Sequence, residues 1–170
     1  MNTATTSDKT DLIIDHEADA IIRKYMLWAL GAGLVPVPWL DMAAIAGLQL
    51  KMLSELAAKY SQSFSDEKAK VAIGTLVGSV VPGQMASGFV GGLVKMIPFV
   101  GMVAVPAFAG ASTYALGKVF EQHFASGGTF LNFDAAAVRQ HFAELYAKGK
   151  TAASDIANEA SPAEASQTKN

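Results

Sequence analysis

Polar and apolar positions divide the chain into two polar ends and a very apolar middle. Val71–Gly117 holds one charge, Lys95, and nine of the chain's 15 glycines, with Pro82, Pro98 and Pro106. An ordinary surface helix keeps a polar face opposite its apolar stripe, and this stretch has none. It predicts a glycine-rich apolar helical hairpin over 71–117, turning around Gly91–Gly101, where Pro98 and Gly101 break the helix. Tyr25–Gln62 predicts a first hairpin. Its apolar run, Tyr25–Leu34, is ended by Val35-Pro36-Val37-Pro38, because proline disfavours helix in the residue before it and has no N–H to donate. A second helix then runs over about Trp39–Gln62, apolar at first and amphipathic from Lys51 on, with Met52, Leu53, Leu56 and Tyr60 on one side.

The flanks are more conventional. Met1–Lys9 reads as a disordered lead, and a helix begins near Thr10 or Asp11. Ser61–Lys70 is a polar connector, with Ser65 as N-cap of the next helix. Lys118–Ser126 is amphipathic and stops at Gly127-Gly128. Phe130–Phe133 is a short apolar clip. Asp134 caps a last helix over about Ala135–Lys148, which Gly149 ends. Residues 150–170 read as a disordered tail. The prediction is one all-α domain over 10–149: two Pro-broken apolar hairpins with amphipathic flanking helices, embedded in a membrane.

Composition leaves the covering of the apolar middle open. The content is 51% apolar and the mean hydropathy +0.29, between soluble and mostly membrane-spanning chains. Either arm of 71–117 has about the 20 residues that span a bilayer, less what the turn consumes. Lipid, a dry core or partner subunits would each cover such helices. With 71–117 as a hairpin, 12 of the 13 Lys and Arg residues lie on the side of the termini. That is the positive-inside pattern, with termini in the cytoplasm. The start of the chain lacks a signal peptide's basic and apolar regions.

Small residues at four-residue spacing, Gly74 with Gly78, Ser87 with Gly91 and Gly88 with Gly92, let helix backbones approach closely. They predict packing between the arms, between protomers, or both. Asp41 and Lys95 are isolated charges in apolar sequence, each beside a proline break. A buried charge is costly unless paired, so they are a candidate ion pair. Tyr25, Trp28 and Trp39 border the first hairpin as candidate interfacial aromatics.

Evidence for chemistry is absent from the sequence. His16, His123 and His141 make no metal signature, no phosphate-binding loop is present, and no nucleophile–base set can be named. The chain has no cysteine and a net charge of -2. No cofactor, catalytic group or nucleic-acid partner is expected.

Three stretches resemble a known family: Gly31–Tyr60, with Pro36, Pro38, Asp41, Gln49 and Met52; Val94–Gly101, with Lys95, Pro98 and Gly101; and Ser112–Asp134, with Thr113 and Gly117. The chain resembles the bacterial domain-of-unknown-function family 697, a membrane-associated domain attached to, or encoded near, Era-like GTPases. The resemblance implies an inner-membrane protein with no defined reaction. No GTPase domain accompanies the match, so any GTPase partner would be a separate chain. The expectation is a non-enzymatic structural or scaffold protein that self-assembles as a homo-oligomer at the bacterial cytoplasmic membrane. A membrane anchor or adaptor for a GTPase, and a pore-forming or membrane-remodelling protein, are the alternatives.

Overall fold

The computed structural model describes residues 6–32, 40–80 and 98–159. These residues form five helices and no strand: α1 (Thr6–Ala32), α2 (Leu40–Lys59), α3 (Asp66–Val80), α4 (Pro98–Ala125) and α5 (Arg139–Glu159). The all-α expectation holds.

The helix ends follow from local chemistry. The Ser65 hydroxyl accepts from the Lys68 N–H at 3.4 Å, and α3 begins at the next residue. The Asp134 carboxylate accepts from the N–H groups of Ala136 (2.9 Å) and Ala137 (3.2 Å). It thereby caps a turn that leads into α5. At the end of α4, Gly128 N–H donates to His123 O and Gly127 N–H to Phe124 O, with Gly127 at φ 82°. This paired pattern satisfies carbonyls that a helix end leaves free. The end of α2 repeats it, Gln62 N–H to Ala57 O and Ser61 N–H to Ala58 O, but with Ser61 at φ 55° where glycine is the usual residue.

Four predicted boundaries move, one of them the start of α5, which lies at Arg139 and not at Ala135 because residues 135–138 form a turn. α1 starts at Thr6, inside the expected disordered lead, because Thr6, Ser7 and Asp8 suit a helix start as well as Thr10 does. α4 starts at Pro98 and passes through Gly101, so Pro98 stands at a helix start and Gly101 does not break a helix. Proline's missing N–H is harmless in a first turn, and one glycine costs only about 1 kcal/mol inside a helix. α5 runs through Gly149 to Glu159, so Gly149 does not end it and 150–159 is not a disordered tail.

The reason for Gly149 is contact. It is buried, and a Cβ there would lie 2.9 Å from the Ala111 carbonyl oxygen and 3.0 Å from Ala111 Cα. The residue lets α5 approach the backbone of α4. Gly110 and Gly117, two helical turns apart on α4, do the same toward α1. A Cβ on them would meet Leu30 and Ile22 side-chain carbons at 2.7 Å.

α4 is the centre of the bundle and touches each of the other four helices. From Phe108 to Gly117 it is buried nearly all round, and only Tyr114 is partly exposed. This part of the expected second arm is therefore covered by the chain's own helices. The main core joins Ile22 and Tyr25 of α1, Met52, Leu53 and Leu56 of α2, Ile73 and Leu76 of α3, Leu116, Val119 and Phe120 of α4, and Phe142 and Leu145 of α5. At one end Phe120, Phe124, Phe130 and Phe133 pack ring on ring. Phe120 and Phe133 are stacked with centroids 4.3 Å apart. The Phe130–Phe133 clip is thus a lid on this end of the bundle.

Candidate functional site: a charge-poor half above a set of ionic clasps

α1 runs antiparallel to both α2 and α4. Lys24 and Tyr25 reach Glu55, Glu17 reaches Lys59, and Asp19 reaches Lys118. In this arrangement the charges of the first four helices gather in one half. Beyond Lys24 α1 carries none, α3 carries none after Lys70, and α4 none before Lys118. α2 carries only Asp41 before Lys51. α5 is the exception and takes Lys148, Lys150 and Asp155 alongside α4.

The charged half is tied by clasps. Glu55 accepts from Lys24 Nζ and from the Tyr25 hydroxyl, each at 2.6 Å. Burial alone would raise the Glu55 pKa. The hydrogen bonds from Lys24 and Tyr25 and the Lys24 charge outweigh it and hold the carboxyl below its ordinary value. Burial, followed by Glu55, raises the Tyr25 hydroxyl. Lys118 bridges two acids, Asp19 on α1 and Glu121 on its own helix at 2.7 Å. Glu121 is 7% exposed. Burial raises its pKa, Lys118 opposes that, and Asp19 and Asp15 add to it. Burial would lower Lys118, but its bonds to Asp19 and Glu121 turn the shift upward. Tyr60 is pushed up to about 12 by burial, with Glu121 and Asp15 adding.

A buried polar layer lies higher in the bundle. The Gln49 side-chain N–H group lies 3.3 Å from both the Ser112 and Thr113 hydroxyl oxygens, and Ser112 donates to Ala109 O. All three residues are fully enclosed. Buried polar groups that meet across the two helices fix the register of α2 against α4. Sequence reasoning singled out Gln49 and Thr113 through family likeness alone. Polar residues in runs as apolar as Ile45–Leu50 and Phe108–Leu116 were the available signal.

The predicted site residues divide. Lys95, Pro36, Pro38, Trp39, Ser87, Gly88, Gly91 and Gly92 lie outside the described residues, and Asp41 is placed only as part of the α2 backbone. Tyr25 is not interfacial. It is fully buried, with its ring edge-on to Trp28 and its hydroxyl on Glu55. Trp28, next along the outer face of α1, is 52% exposed. Gly74 and Gly78 are exposed on α3, with nothing within 4 Å of a Cβ at either. They do not pack the two arms together, because Ala69, Ala72, Ile73 and Leu76 form the buried face of α3. The glycines that do allow close approach, Gly110, Gly117 and Gly149, were missed. The seven-residue spacing of Gly110 and Gly117 was the signal.

Among the described residues no group of His, Asp and Glu could hold a metal ion, and no helix is long and apolar enough to cross a membrane. His123 sits in the aromatic end, its Nε2 3.0 Å from Thr129 O, and His141 Nε2 lies 2.7 Å from Gln122 Oε1. Both are occupied by structural bonds.

The described residues define an all-α bundle whose first four helices gather most of their charges in one half. The chain belongs to the family described as Domain of unknown function (DUF697), whose model matches residues 3–151. It is similar to Magnetosome membrane protein 22 of Magnetospirillum gryphiswaldense, with 37% identity over 146 residues, 84% of this chain and 75% of that protein. No solved structure matches it.

Proposed function

We propose that this is a non-enzymatic, membrane-associated protein of the bacterial cytoplasmic membrane, which self-assembles through an outward glycine face. The observation that carries the reading is the outer side of α3. Val71 is 62% exposed, and Gly74 and Gly78 follow on the same side with open space above them. A second helix can approach such a face to backbone distance, and close approach is what drives helix association where no hydrophobic effect operates. The charge-poor half of α1–α4, with Asp41 its one charge among the described residues, and the likeness to a membrane protein of magnetosomes support the membrane part.

Two measurements test it. Carbonate washing of membranes should leave the chain in the pellet; full release would end the membrane reading. Mass measurement in detergent should give more than one copy per particle, and Gly74→Leu with Gly78→Leu should return it to one. A strict monomer before mutation removes the scaffold.

A further inference from the structure

The outer faces of α1 and α2 change character within about one turn of the same height. On α1, Arg23 and Lys24 are followed one turn later by Leu27 (40% exposed) and Trp28 (52% exposed), then by exposed Gly31. Lys24 Nζ lies 4.7 Å from the Tyr25 ring centre and 6.0 Å from that of Trp28. On α2, exposed Lys51 is followed, in the same direction, by exposed Gly47, Ala44 and Ala43. The bonds of Glu55 to Lys24 and Tyr25 fix the two helices in antiparallel register. Lys51 is one turn from Glu55, and Trp28 one turn from Lys24, so Lys51 lies level with Trp28 and the two helices pass from cationic to uncharged surface within about one turn of each other.

We propose that this band, Arg23, Lys24, Leu27, Trp28 and Lys51, docks on an anionic phospholipid surface and sets the depth to which the bundle enters it. The inference rests on the membrane reading above and deepens it. An indole with one apolar edge and one N–H is at home at the headgroup level. Lysine and arginine keep their charged ends in the aqueous layer while their stems lie along apolar surface. Three cations against Glu55 leave the band positive, which matches phosphatidylglycerol headgroups and not neutral ones. The bundle then enters by its α1–α2 side, and the ionic clasps, the aromatic end and α5, which packs on α4 away from α1 and α2 and carries exposed Lys148 and Lys150, stay in water.

The chain has two tryptophans, so the full-length Trp39→Phe variant leaves Trp28 as sole reporter. It is mixed with vesicles of phosphatidylglycerol and phosphatidylcholine carrying bromine at shallow or deep acyl positions. The expected result is co-flotation, a blue shift of Trp28 emission, and stronger quenching by shallow bromine. In the otherwise unchanged chain, Arg23→Gln and Lys51→Gln should each weaken partition to anionic vesicles about fivefold. They should leave the little binding to pure phosphatidylcholine unaltered. Co-flotation with unshifted, unquenched Trp28, deeper quenching by deep bromine, or equal partition of wild type and both glutamine variants would each overturn the band and leave the membrane reading standing. Failure to float with any vesicle would overturn both.

Discussion

Alanine at Gly149 and at Gly74 should act in opposite directions, although both glycines lie inside helices. Replacing a mid-helix glycine by alanine gains about 1 kcal/mol from backbone entropy alone. At Gly74 nothing opposes it, since no atom lies within 4 Å of the new Cβ. Gly74→Ala should therefore stabilise the isolated chain by about 0.5–1 kcal/mol. At Gly149 the new methyl would stand 2.9 Å from the Ala111 oxygen and 3.0 Å from its Cα, backbone atoms that cannot rotate away, with Tyr114 at 3.0 Å as well. Relief requires α5 to move off α4. Overpacking of this kind costs about 1–3 kcal/mol, so the net is a loss of up to about 2 kcal/mol. For a chain of this length each kcal/mol moves Tm by about 2–4 °C. Thermal unfolding followed by circular dichroism, at concentrations and in detergent where the chain is monomeric, reads both signs. Gly149→Ala as stable as Gly74→Ala would show that α5 does not lie against α4 as described. A destabilising Gly74→Ala under monomeric conditions would mean that the outer side of α3 is covered within the chain.

Other outcomes follow from single features. Ser61 holds a left-handed conformation that costs a side chain about 1–2 kcal/mol, so Ser61→Gly should raise stability by up to that amount in urea unfolding; no gain would refute the α2 cap. Glu121 is raised in the fold, so its ionised form weakens the fold above that pKa and the penalty disappears as pH falls toward the unfolded value near 4.5. Glu121→Gln should thus be the more stable protein at pH 7 and match wild type below about pH 4; an advantage that grows with acid would contradict the assignment. Glu55 has the opposite sign. Its contribution is full above the unfolded value and fades as pH falls through the lower folded one, and Glu55→Gln should remove that acid-side loss from the stability profile. For the proposed Asp41–Lys95 pair, Asp41→Leu combined with Lys95→Met should be milder than either single change; additive damage in the unfolding free energies sinks the pairing.

Helix class and most helix ends were legible in the sequence because they depend on neighbours a few residues away. Ser65 and Gly127-Gly128 each act within one turn, and the structure places them as a cap and a stop, while Asp134 caps a turn that precedes the helix it is expected to start. Misread residues depend on distant partners. Gly149 looks like a helix stop until Ala111 is placed against it. Tyr25 looks like an interfacial ring until Glu55, 30 residues away, is found on its hydroxyl. Gly101 looks like a break because glycine is a breaker in isolation, yet a lone glycine inside a helix is tolerated. Periodicity showed that Pro98–Gly117 has no polar face, and several coverings satisfy that equally. Only the antiparallel placement of α1 and α5 against α4 shows that its Phe108–Gly117 portion is sheathed by the chain itself.

A mast that touches every other helix also dictates an order of events during synthesis. α1 cannot seat its apolar side until α4 exists, because Ile22 closes on Gly117 and Asp19 on Lys118, 99 residues later. At about 5–20 residues per second, the first helix waits on the order of 5–20 s after it leaves the ribosome. During that interval Tyr25, Met26 and Ala29 have only α2 for company. A nascent chain carrying so much unclothed apolar surface is exposed to aggregation for that interval, and on the membrane reading proposed above a bilayer would shelter it.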